Sequence, residues 1–296
     1  MGGPSSEREI SLKSGKAVYR ALKEQGLDVV ALDIGNNPTK EIKQAKISCA
    51  FIALHGKFGE DGTIQRILES LHIPYTGSGI IASKLCLDKV ASRRILKRYN
   101  IPVPQYALLE RNSWKKCLKE LSLRFPVVVK PSSQGSSIGI TFVDKIRNLN
   151  YAIDSAFKYD DTVIIEKFIK GREITVGILG GRALPVVEIA PKRQFFDFQA
   201  KYLKGKSDYV VPAKLPKACY KQAQQLGLLA HKALGCRTFS RIDMILSMGK
   251  PFILEANSIP GLTSASLLPM AAAACGINFG QLCLKIVSEA ATYGTK

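Results

Sequence analysis

Four polar side chains near the carboxyl end of the chain have the spacing of one face of a β-hairpin. In SRIDMILSMGKPFILEANSIPG, two strand-like stretches flank a turn at residues 248–250. Counting back from that turn places Asp243 roughly opposite Glu255, and side-chain alternation adds Arg241 and Asn257 to the same face. Three oxygen-bearing side chains without sulfur or imidazole suit a hard cation such as Mg²⁺ or Mn²⁺ shared with substrate phosphates. An arginine beside such an ion can stabilise negative charge that develops during a reaction. The alternative interpretation is a solvated sheet face with a salt bridge.

A second chemical signal is FPVVVKPSSQGSSIG, where Lys130 follows an apolar run and precedes a loop of serine and glycine. Backbone N–H groups in such a loop can surround anionic oxygens while the lysine supplies positive charge, which predicts contact with a nucleotide phosphate. The P-loop pattern G-x-x-x-x-G-K-[ST] is absent from the chain, so phosphate binding by a P-loop is excluded. Gly77, Gly79 and Ala82 match G-x-G-x-x-A, but no acidic residue completes a dinucleotide-binding unit after them. The alternative for the serine loop is a mobile surface turn.

The elements that must position these residues alternate between strand and helix patterns. Apolar runs of strand length occupy residues 29–34, 49–54, 127–129, 163–165, 174–179 and 252–254. Segments with helical periodicity occupy residues 12–25, 65–71, 88–98 and 220–234. This alternation predicts an α/β fold. Proline and glycine near residues 75–79, and a lysine-glycine turn at residues 170–172, mark the predicted domain boundaries.

The composition narrows the class of protein. With 46% hydrophobic and 23% charged residues, and no apolar run near the ~20 residues of a membrane span, the chain is predicted to be a soluble globular protein. No secretory signal pattern precedes the first helix, so the expected location is cytoplasmic. The seven cysteines form no C-x-x-C pair and are predicted to be reduced packing residues. The net charge of +19 comes from dispersed lysines and arginines, which predicts a basic solvated surface rather than nucleic-acid binding.

Taken together, Lys130, the serine loop and the RID and LEAN strands resemble the ATP-grasp ligases, and specifically the D-alanine–D-alanine ligase family. Six further segments carry the resemblance in chain order: GGPSSEREISLKSG, ALHGKFGEDGTIQ, YTGSG with LDK, EKFIKGREITVGI, DFQAKY and NSIPGLTSASLLP. The resemblance covers essentially the whole chain. It implies an α/β ATP-grasp fold of three domains, at residues 1–77, 78–170 and 171–296, with ATP between two sheets. The implied reaction joins two D-alanine molecules into the dipeptide used for peptidoglycan, with a homodimer as the implied assembly and no membrane partner.

The resemblance assigns nucleotide and metal contacts to residues in the middle and carboxyl-terminal parts of the chain. ATP would be bound by Lys89, Lys130, Glu166, Lys167, Ile169 and Glu173, and the transferred phosphate by Lys201. The ligands of two Mg²⁺ or Mn²⁺ ions would be Asp243, Glu255 and Asn257, in agreement with the hairpin argument.

The resemblance also assigns the amino-acid contacts. The first D-alanine would lie at Glu7 and His55, and the carboxylate of the second at Ser266 and Leu267. Negative charge on the reacting carbonyl would be met by Arg241 and the N–H of Gly261. The attacking amine must lose a proton, and the resemblance places a hydrogen-bonded set near that step, formed by Glu7, Ser136 and Tyr202.

The start of the chain departs from the family pattern. The family opens with an apolar strand that runs into Gly-Gly, whereas Met1 stands directly before Gly2 and Gly3. We therefore expect an N-terminal parallel-sheet domain that lacks its usual first strand, with neighbouring strands exposed and the loop that carries Glu7 loosened.

Two alternatives to D-alanyl-D-alanine synthesis remain open from the residues alone. A sibling enzyme would take D-lactate or D-serine as the second substrate, although Tyr202 favours D-alanine. A relative from another functional class would be an inactive or nucleic-acid-binding ATP-grasp protein.

Overall fold

The computed structural model of the protein describes residues 1–119, 124–191 and 207–293. Its helices are α1 (Arg8–Glu24), α2 (Pro38–Ala45), α3 (Thr63–Ser70), α4 (Ile80–Leu87), α5 (Lys89–Arg98), α6 (Trp114–Lys119), α7 (Leu149–Ala156), α8 (Lys217–Ala233), α9 (Leu267–Ala273) and α10 (Phe279–Tyr293). Its strands are β1 (Tyr106–Glu110), β2 (Val127–Pro131), β3 (Thr141–Val143), β4 (Thr162–Lys167), β5 (Arg172–Leu179), β6 (Arg182–Ala183), β7 (Val187–Pro191), β8 (Ser207–Val210), β9 (Phe239–Ser247) and β10 (Lys250–Asn257). This mixture of helices and sheets confirms the predicted α/β class.

The predicted strands at 29–34 and 49–54 are not regular strands in the structure. Isolated parallel bridges join Gly2 to Ile34 and Ala50 to Tyr75 instead. Met1 and Gly3 make backbone hydrogen bonds with Leu32 and Ile34, and Gly2 and Gly3 both have positive φ, +80° and +81°, outside the extended geometry of a strand. Residues of both predicted strands line a cavity of about 400 Å³.

The amino-terminal region is held to the rest of the chain by α1. Val18, Ala21 and Leu22 recur at helical spacing, and they pack with Leu282 and Ile286 of α10 in one apolar cluster. This packing joins the carboxyl-terminal half of α1 to α10, while Glu7 lies directly before the first residue of α1.

A four-stranded antiparallel sheet has the order β1-β4-β2-β3. The predicted apolar runs at 127–129 and 163–165 lie in β2 and β4, and all five residues of β2 are buried. Ala152, Ile153 and Ala156 of α7 pack against this sheet, and the backbone of Phe125 to Pro131 leads directly into the serine loop. The sheet therefore sets the position of Lys130 and of the serine loop that follows it.

The second antiparallel sheet has the order β10-β9-β5-β7-β8, with β6 paired to β5. The helix α8 packs across β5, β9 and β10. A Cβ at Gly227 of α8 would stand 3.0 Å from Val176, so glycine permits this close approach. Among the residues described, no helix combines the length and the apolar character that crossing a membrane would require.

Candidate active site

The β9–β10 hairpin brings the predicted polar residues together through a bulge. Met248 and Gly249 form the two-residue turn with φ of +48° and +80°, the left-handed geometry of a tight hairpin. From that turn, strict pairing would place Leu254 opposite Asp243. A register shift between Ile253 and Glu255 instead places Glu255 opposite Asp243.

The same register places Asn257 opposite Arg241. The predicted set of Arg241, Asp243, Glu255 and Asn257 is therefore confirmed as neighbours in paired strands. The bulge is the local feature that makes this arrangement possible, because it shifts the carboxyl-terminal half of β10 by one residue.

Asp243 is the most heavily contacted residue of this group. Its carboxylate accepts two hydrogen bonds from Arg241, at 2.8 Å from Nε and 2.7 Å from Nη2. Asn257 Nδ2 donates to it at 3.0 Å, and Thr175 Oγ1 of β5 donates at 2.6 Å. Burial alone would lower the pKa of Arg241, but Asp243 outweighs it, with smaller help from other carboxylates, and raises that pKa above its usual value. Arg241 is thus a fixed cation anchored to the sheet.

Lys89 meets the hairpin from the start of α5. The carboxylate of Asp88 caps this helix by accepting from the backbone N–H of Val90 at 2.9 Å, which sets Lys89 as its first residue. The Lys89 ammonium lies 3.4 Å from Glu255 Oε2 and donates to the carbonyl of Gln134 at 2.5 Å. Although burial favours the neutral form of Glu255, Lys89 and other nearby cations hold its pKa below the usual value. One lysine therefore links the serine loop to the hairpin.

Lys130 and Glu166 form a buried pair between β2 and β4. Lys130 Nζ is 2.8 Å from Glu166 Oε1, and the guanidinium of Arg93 contacts the other oxygen of Glu166. Burial lowers the pKa of Lys130 to about 8, partly offset by Glu166. Burial would raise the pKa of Glu166, but Lys130 and Arg93 hold it below its usual value. Three ionisable groups are thereby kept charged at one buried point.

The serine loop reaches the start of α1 through Ser136. Its hydroxyl donates to Glu7 Oε2 at 2.6 Å, a contact between residues 129 positions apart. Ser136 and Ser137 both have positive φ, and a Cβ on Gly135 would stand 2.7 Å from Glu7 Oε1. The predicted pair of Glu7 and Ser136 is therefore brought together. Tyr202 and Lys201, the other predicted members of the site, lie outside the described residues.

His55 is buried where α1 meets the loop after β10. Its Nδ1 lies 3.1 Å from the carbonyl oxygen of Ile259 and its Nε2 lies 3.0 Å from Ser14 Oγ. Because a carbonyl only accepts, Nδ1 carries the proton and Nε2 accepts from the Ser14 hydroxyl. Burial lowers the pKa of His55 to about 4, so the imidazole is neutral at pH 7. His55 thus fixes the loop that leads to Gly261.

Gly261 and Ser266 lie close together in that loop. A Cβ on Gly261 would be 3.1 Å from Ser266 Oγ, and this hydroxyl accepts from Thr263 N at 3.1 Å. Leu267 is the first residue of α9. The predicted oxyanion donor Gly261 is thus brought close to Ser266, one of the predicted residues of the second amino-acid site.

The other predicted ATP positions lie along the connection between β4 and β5. Lys167 ends β4 and is exposed, Ile169 follows it, and Glu173 lies near the start of β5. They therefore flank the connection from the four-stranded sheet to the second sheet.

Glu60 is a candidate that the sequence analysis missed. Its carboxylate accepts from Gly56 N at 2.7 Å, and together with Lys89, Glu255 and Asn257 it lines a cavity of about 20 Å³. Burial, aided by Glu7 and Glu255, raises the pKa of Glu60 to about 8. The available signal was an acidic residue within the glycine-rich motif HGKFGEDG.

The donor set of the hairpin fits a hard cation. In the parts of the chain that the structure describes, no cluster of three or more His, Cys, Asp or Glu residues suits a metal ion. Asp243, Glu255 and Asn257 supply two carboxylates and one amide, which is the oxygen chemistry of a site that shares its ion with substrate phosphates. The carboxylates are paired here with Arg241 and Lys89, so their charge is already balanced by cations.

Two family models match the sequence. One, described as D-ala D-ala ligase N-terminus, matches residues 34–78, and the other, described as D-ala D-ala ligase C-terminus, matches residues 95–288.

Several characterised proteins are similar to this chain over nearly its full length. The D-alanine--D-alanine ligase of Citrifermentans bemidjiense is 46% identical over 291 residues, which cover 98% of this chain and 94% of that protein. A crystal structure of D-alanine--D-alanine ligase from Bacillus anthracis has a TM-score of 0.88 at 37% identity, and one complexed with ATP has 0.85 at 34%, each covering 99% of this chain and 96% of the other. The VanG D-Ala:D-Ser ligase from Enterococcus faecalis has a TM-score of 0.84 at 30% identity, covering 98% of this chain and 97% of the other.

Proposed function

The chain belongs to the D-alanine–D-alanine ligase family, and from that membership and the geometry of the site we infer that it joins two D-alanine molecules in an ATP-dependent, ADP-forming reaction. The product, D-alanyl-D-alanine, is a building block of peptidoglycan precursors. Support for ATP as the nucleotide substrate comes from the ATP complex of the Bacillus anthracis enzyme.

The observation that carries the proposal is the paired face of the β9–β10 hairpin. On this face Arg241 lies opposite Asn257, and Asp243 lies opposite Glu255. The face therefore presents one fixed cation beside oxygen donors from two adjacent strands. Lys89 approaches the same face from α5. Such a set can bind phosphate oxygens on one side and a reacting carbonyl on the other.

In the first chemical step, a carboxylate oxygen of one D-alanine attacks the γ-phosphorus of ATP. The bond from that phosphorus to the bridging oxygen of ADP breaks, and a D-alanyl phosphate forms. Lys89 and Lys130 balance the charge of the ATP phosphates, and Lys201 would meet the transferred phosphate. Asp243, Glu255 and Asn257 would hold two Mg²⁺ or Mn²⁺ ions, which when bound supply positive charge to the phosphate oxygens.

In the second step, the amine of the other D-alanine attacks the activated carbonyl. The carbonyl oxygen becomes an oxyanion, and Arg241 with the N–H of Gly261 would stabilise it. Collapse of this intermediate forms the peptide bond and releases phosphate. The anchoring of Arg241 by Asp243 supports this role, because a donor that is already oriented needs no rearrangement as charge develops.

The amine must lose a proton during this attack. We assign that part of the site to Glu7, Ser136 and Tyr202. The 2.6 Å hydrogen bond between Ser136 and Glu7 supports the assignment, because it places a carboxylate between the serine loop and α1. Neutral His55 would position the first D-alanine by holding the loop between Ile259 and Gly261.

The second substrate would place its carboxylate at Ser266 and Leu267. The similarity to a D-Ala:D-Ser ligase keeps D-serine as an alternative second substrate, but that relation, at 30% identity, is more distant than the 46% identity to a D-alanine--D-alanine ligase. D-Lactate is the other alternative. We favour D-alanine as the second substrate.

The remaining assignments concern the ATP pocket, the domains and the assembly. ATP would also be contacted by Glu166, Lys167, Ile169 and Glu173, with Lys167 at the phosphates and Glu173 at the ribose. We propose domains at residues 1–77, 78–170 and 171–296, a homodimer, and a cytoplasmic location, since the reaction consumes ATP. Sedimentation of the purified chain tests the dimer.

Competition between second substrates tests the proposed specificity. The chain is incubated with ATP, Mg²⁺ and D-alanine, alone and with equimolar D-serine or D-lactate, at several pH values, and products are identified by mass. D-Alanyl-D-alanine as the main product at neutral pH is expected. A predominance of D-alanyl-D-serine or of the depsipeptide would assign the chain to a sibling activity, and ATP turnover without any ligated product would overturn the proposal.

A further inference from the structure

Two cysteine sulfurs meet inside the protein near the proposed site. Cys86 lies in the last turn of α4, and Cys236 lies in the turn between α8 and β9, 150 positions away in the sequence. Their Sγ atoms are 3.4 Å apart, and both side chains are buried, with 4% and 8% exposed. All seven cysteines are free thiols within the described residues, and no other pair of sulfurs there is recorded within hydrogen-bond distance.

The surroundings of the pair favour a thiol that donates to a thiolate. The hydrogen bond from Cys86, with a further one from Ser78, lowers the pKa of Cys236 despite its burial. The same contact, with burial, raises the pKa of the Cys86 thiol. The thiolate is the nucleophilic form of cysteine, and the lowered pKa makes Cys236 the member of the pair that ionises more readily.

A small cavity reaches the pair from the side of Cys86. Cys86 lines the same cavity of about 20 Å³ as Glu60, Lys89 and Glu255. That volume holds about one water-sized molecule. Hydrogen peroxide is close to this size, whereas larger thiol reagents are excluded.

We propose that Cys86 and Cys236 form a redox-active dithiol that hydrogen peroxide converts into an intramolecular disulfide, and that this disulfide slows the ligase. The Cys236 thiolate attacks one peroxide oxygen, the O–O bond breaks, and a sulfenic acid and hydroxide result. The Cys86 sulfur then attacks the sulfenic sulfur, so that the S–S bond forms and the S–O bond breaks. The departing oxygen leaves as water with the Cys86 proton. In total, the two thiols lose two electrons and two protons, and one peroxide becomes two waters.

The disulfide would alter the positions of functional residues on both sides. The sulfurs must close from 3.4 Å to about 2.0 Å, a change that side-chain rotation shares with the segments that carry the cysteines, α4 and the turn before β9. Asp88 joins α4 directly to Lys89, and β9 carries Arg241 and Asp243. Because a displacement of about 1 Å can reduce a rate by about 100-fold, we expect at least a tenfold loss of kcat on oxidation. This consequence for activity rests on the proposed function, whereas formation of the disulfide does not.

Peptide mapping of the full chain after peroxide treatment tests the disulfide. Wild type and Cys275→Ser are compared with Cys236→Ser, since Cys275 is exposed and its removal is a matched control. A peptide pair that links Cys86 to Cys236, lighter by two hydrogens than the free peptides, is expected in wild type and in Cys275→Ser. Oxidation of Cys275 in wild type without the linked pair would show that peroxide reached the protein and would overturn the proposal.

The activity arm uses the same samples. We expect the peroxide-treated wild type to lose at least tenfold in kcat and to recover with dithiothreitol, while Cys236→Ser changes less than twofold. Cys86→Ala provides a second insensitive variant if Cys236→Ser does not fold. A linked pair with unchanged kcat would refute the effect on the ligase while leaving the disulfide established. A preparation that lacks ligase activity before treatment would count against the proposed function alone, because the mapping result does not depend on turnover.

Discussion

Replacing Ser136 by alanine removes one hydrogen bond that joins the serine loop to the start of α1. The Ser136 hydroxyl donates to Glu7 Oε2 at 2.6 Å, a short bond to a charged acceptor. Hydrogen bonds to charged groups contribute about 1.5–3 kcal/mol when well shielded, and the exposure of Ser136 argues for the lower end, about 1–2 kcal/mol. Since 1.36 kcal/mol corresponds to a factor of ten, we expect kcat/KM for D-alanine to fall about 5–30-fold.

Ser137→Ala is the matched control for this variant. Ser137 is the next residue of the loop, is also exposed and also has positive φ, and the structure records no side-chain hydrogen bond for it among the described residues. The assay is D-alanine-dependent ADP release at saturating ATP. Ser137→Ala should stay within about twofold of wild type, as expected for a surface substitution.

A double-mutant cycle sharpens the comparison. If the two side chains act through their mutual bond, Glu7→Gln and Ser136→Ala should combine with less than the sum of their separate losses. Two results would refute the reasoning: a Ser136→Ala enzyme with wild-type kcat/KM, or equal losses in Ser136→Ala and Ser137→Ala.

Three further predictions concern the cation, the metal and the histidine. Arg241→Ala should lower kcat by about 100-fold or more while calorimetric ATP affinity changes only a few-fold, and unchanged turnover would rule out the oxyanion role. Chelation with EDTA should abolish ADP release and added Mg²⁺ or Mn²⁺ should restore it, whereas full activity in EDTA would contradict the oxygen-donor site. The folded-state pKa of His55, about 4, lies below the ordinary 6.5, so the unfolded chain binds the proton first as pH falls. Stability should therefore be fully present above pH 6.5 and decline toward pH 4, and about 3 kcal/mol of that decline should be absent in His55→Gln when unfolding is followed by denaturant titration.

The hairpin illustrates how much of the site follows from the residue pattern. Side-chain alternation and a turn are local properties, so they sufficed to predict that Asp243 and Glu255 are neighbours. The bulge after Ile253 has no sequence signal in a run of apolar residues, although without it Leu254 would occupy the place of Glu255. The predicted turn at residues 248–250 was one residue too long, because Lys250 already pairs with Ser247, and the bulge adds one residue to β10, so the two differences cancel and Asp243 still lies opposite Glu255.

Contacts between residues far apart in the sequence could not be predicted from local sequence patterns. The contact of both Lys130 and Arg93 with Glu166 depends on how β2, β4 and α5 pack, and the position of Glu60 beside Glu255 depends on how the amino-terminal region packs against the hairpin. Periodicity assigns residues to a face, but it does not reveal which charges meet when faces combine. The family resemblance supplied roles for Lys130 and Glu166 but not their ion pair.

In the amino-terminal region, two strands predicted from composition are not regular strands in the structure. Apolar runs at 29–34 and 49–54 have strand composition, yet they make only isolated bridges. A strand needs a partner along its length, and Gly2 and Gly3 have positive φ, outside the extended geometry of a strand. Composition therefore predicted the tendency of these segments but not their pairing.

In the proposed reaction D-alanine is activated by phosphorylation of its own carboxylate, and transfer of heavy oxygen tests this step most directly. The chain is supplied with ATP, Mg²⁺ and D-alanine whose carboxylate carries heavy oxygen, and the released inorganic phosphate is analysed by mass. We predict one heavy oxygen in phosphate for each D-alanyl-D-alanine formed, because the oxygen that attacks the γ-phosphorus departs with it. Dipeptide that accumulates while the phosphate contains no heavy oxygen would contradict the account.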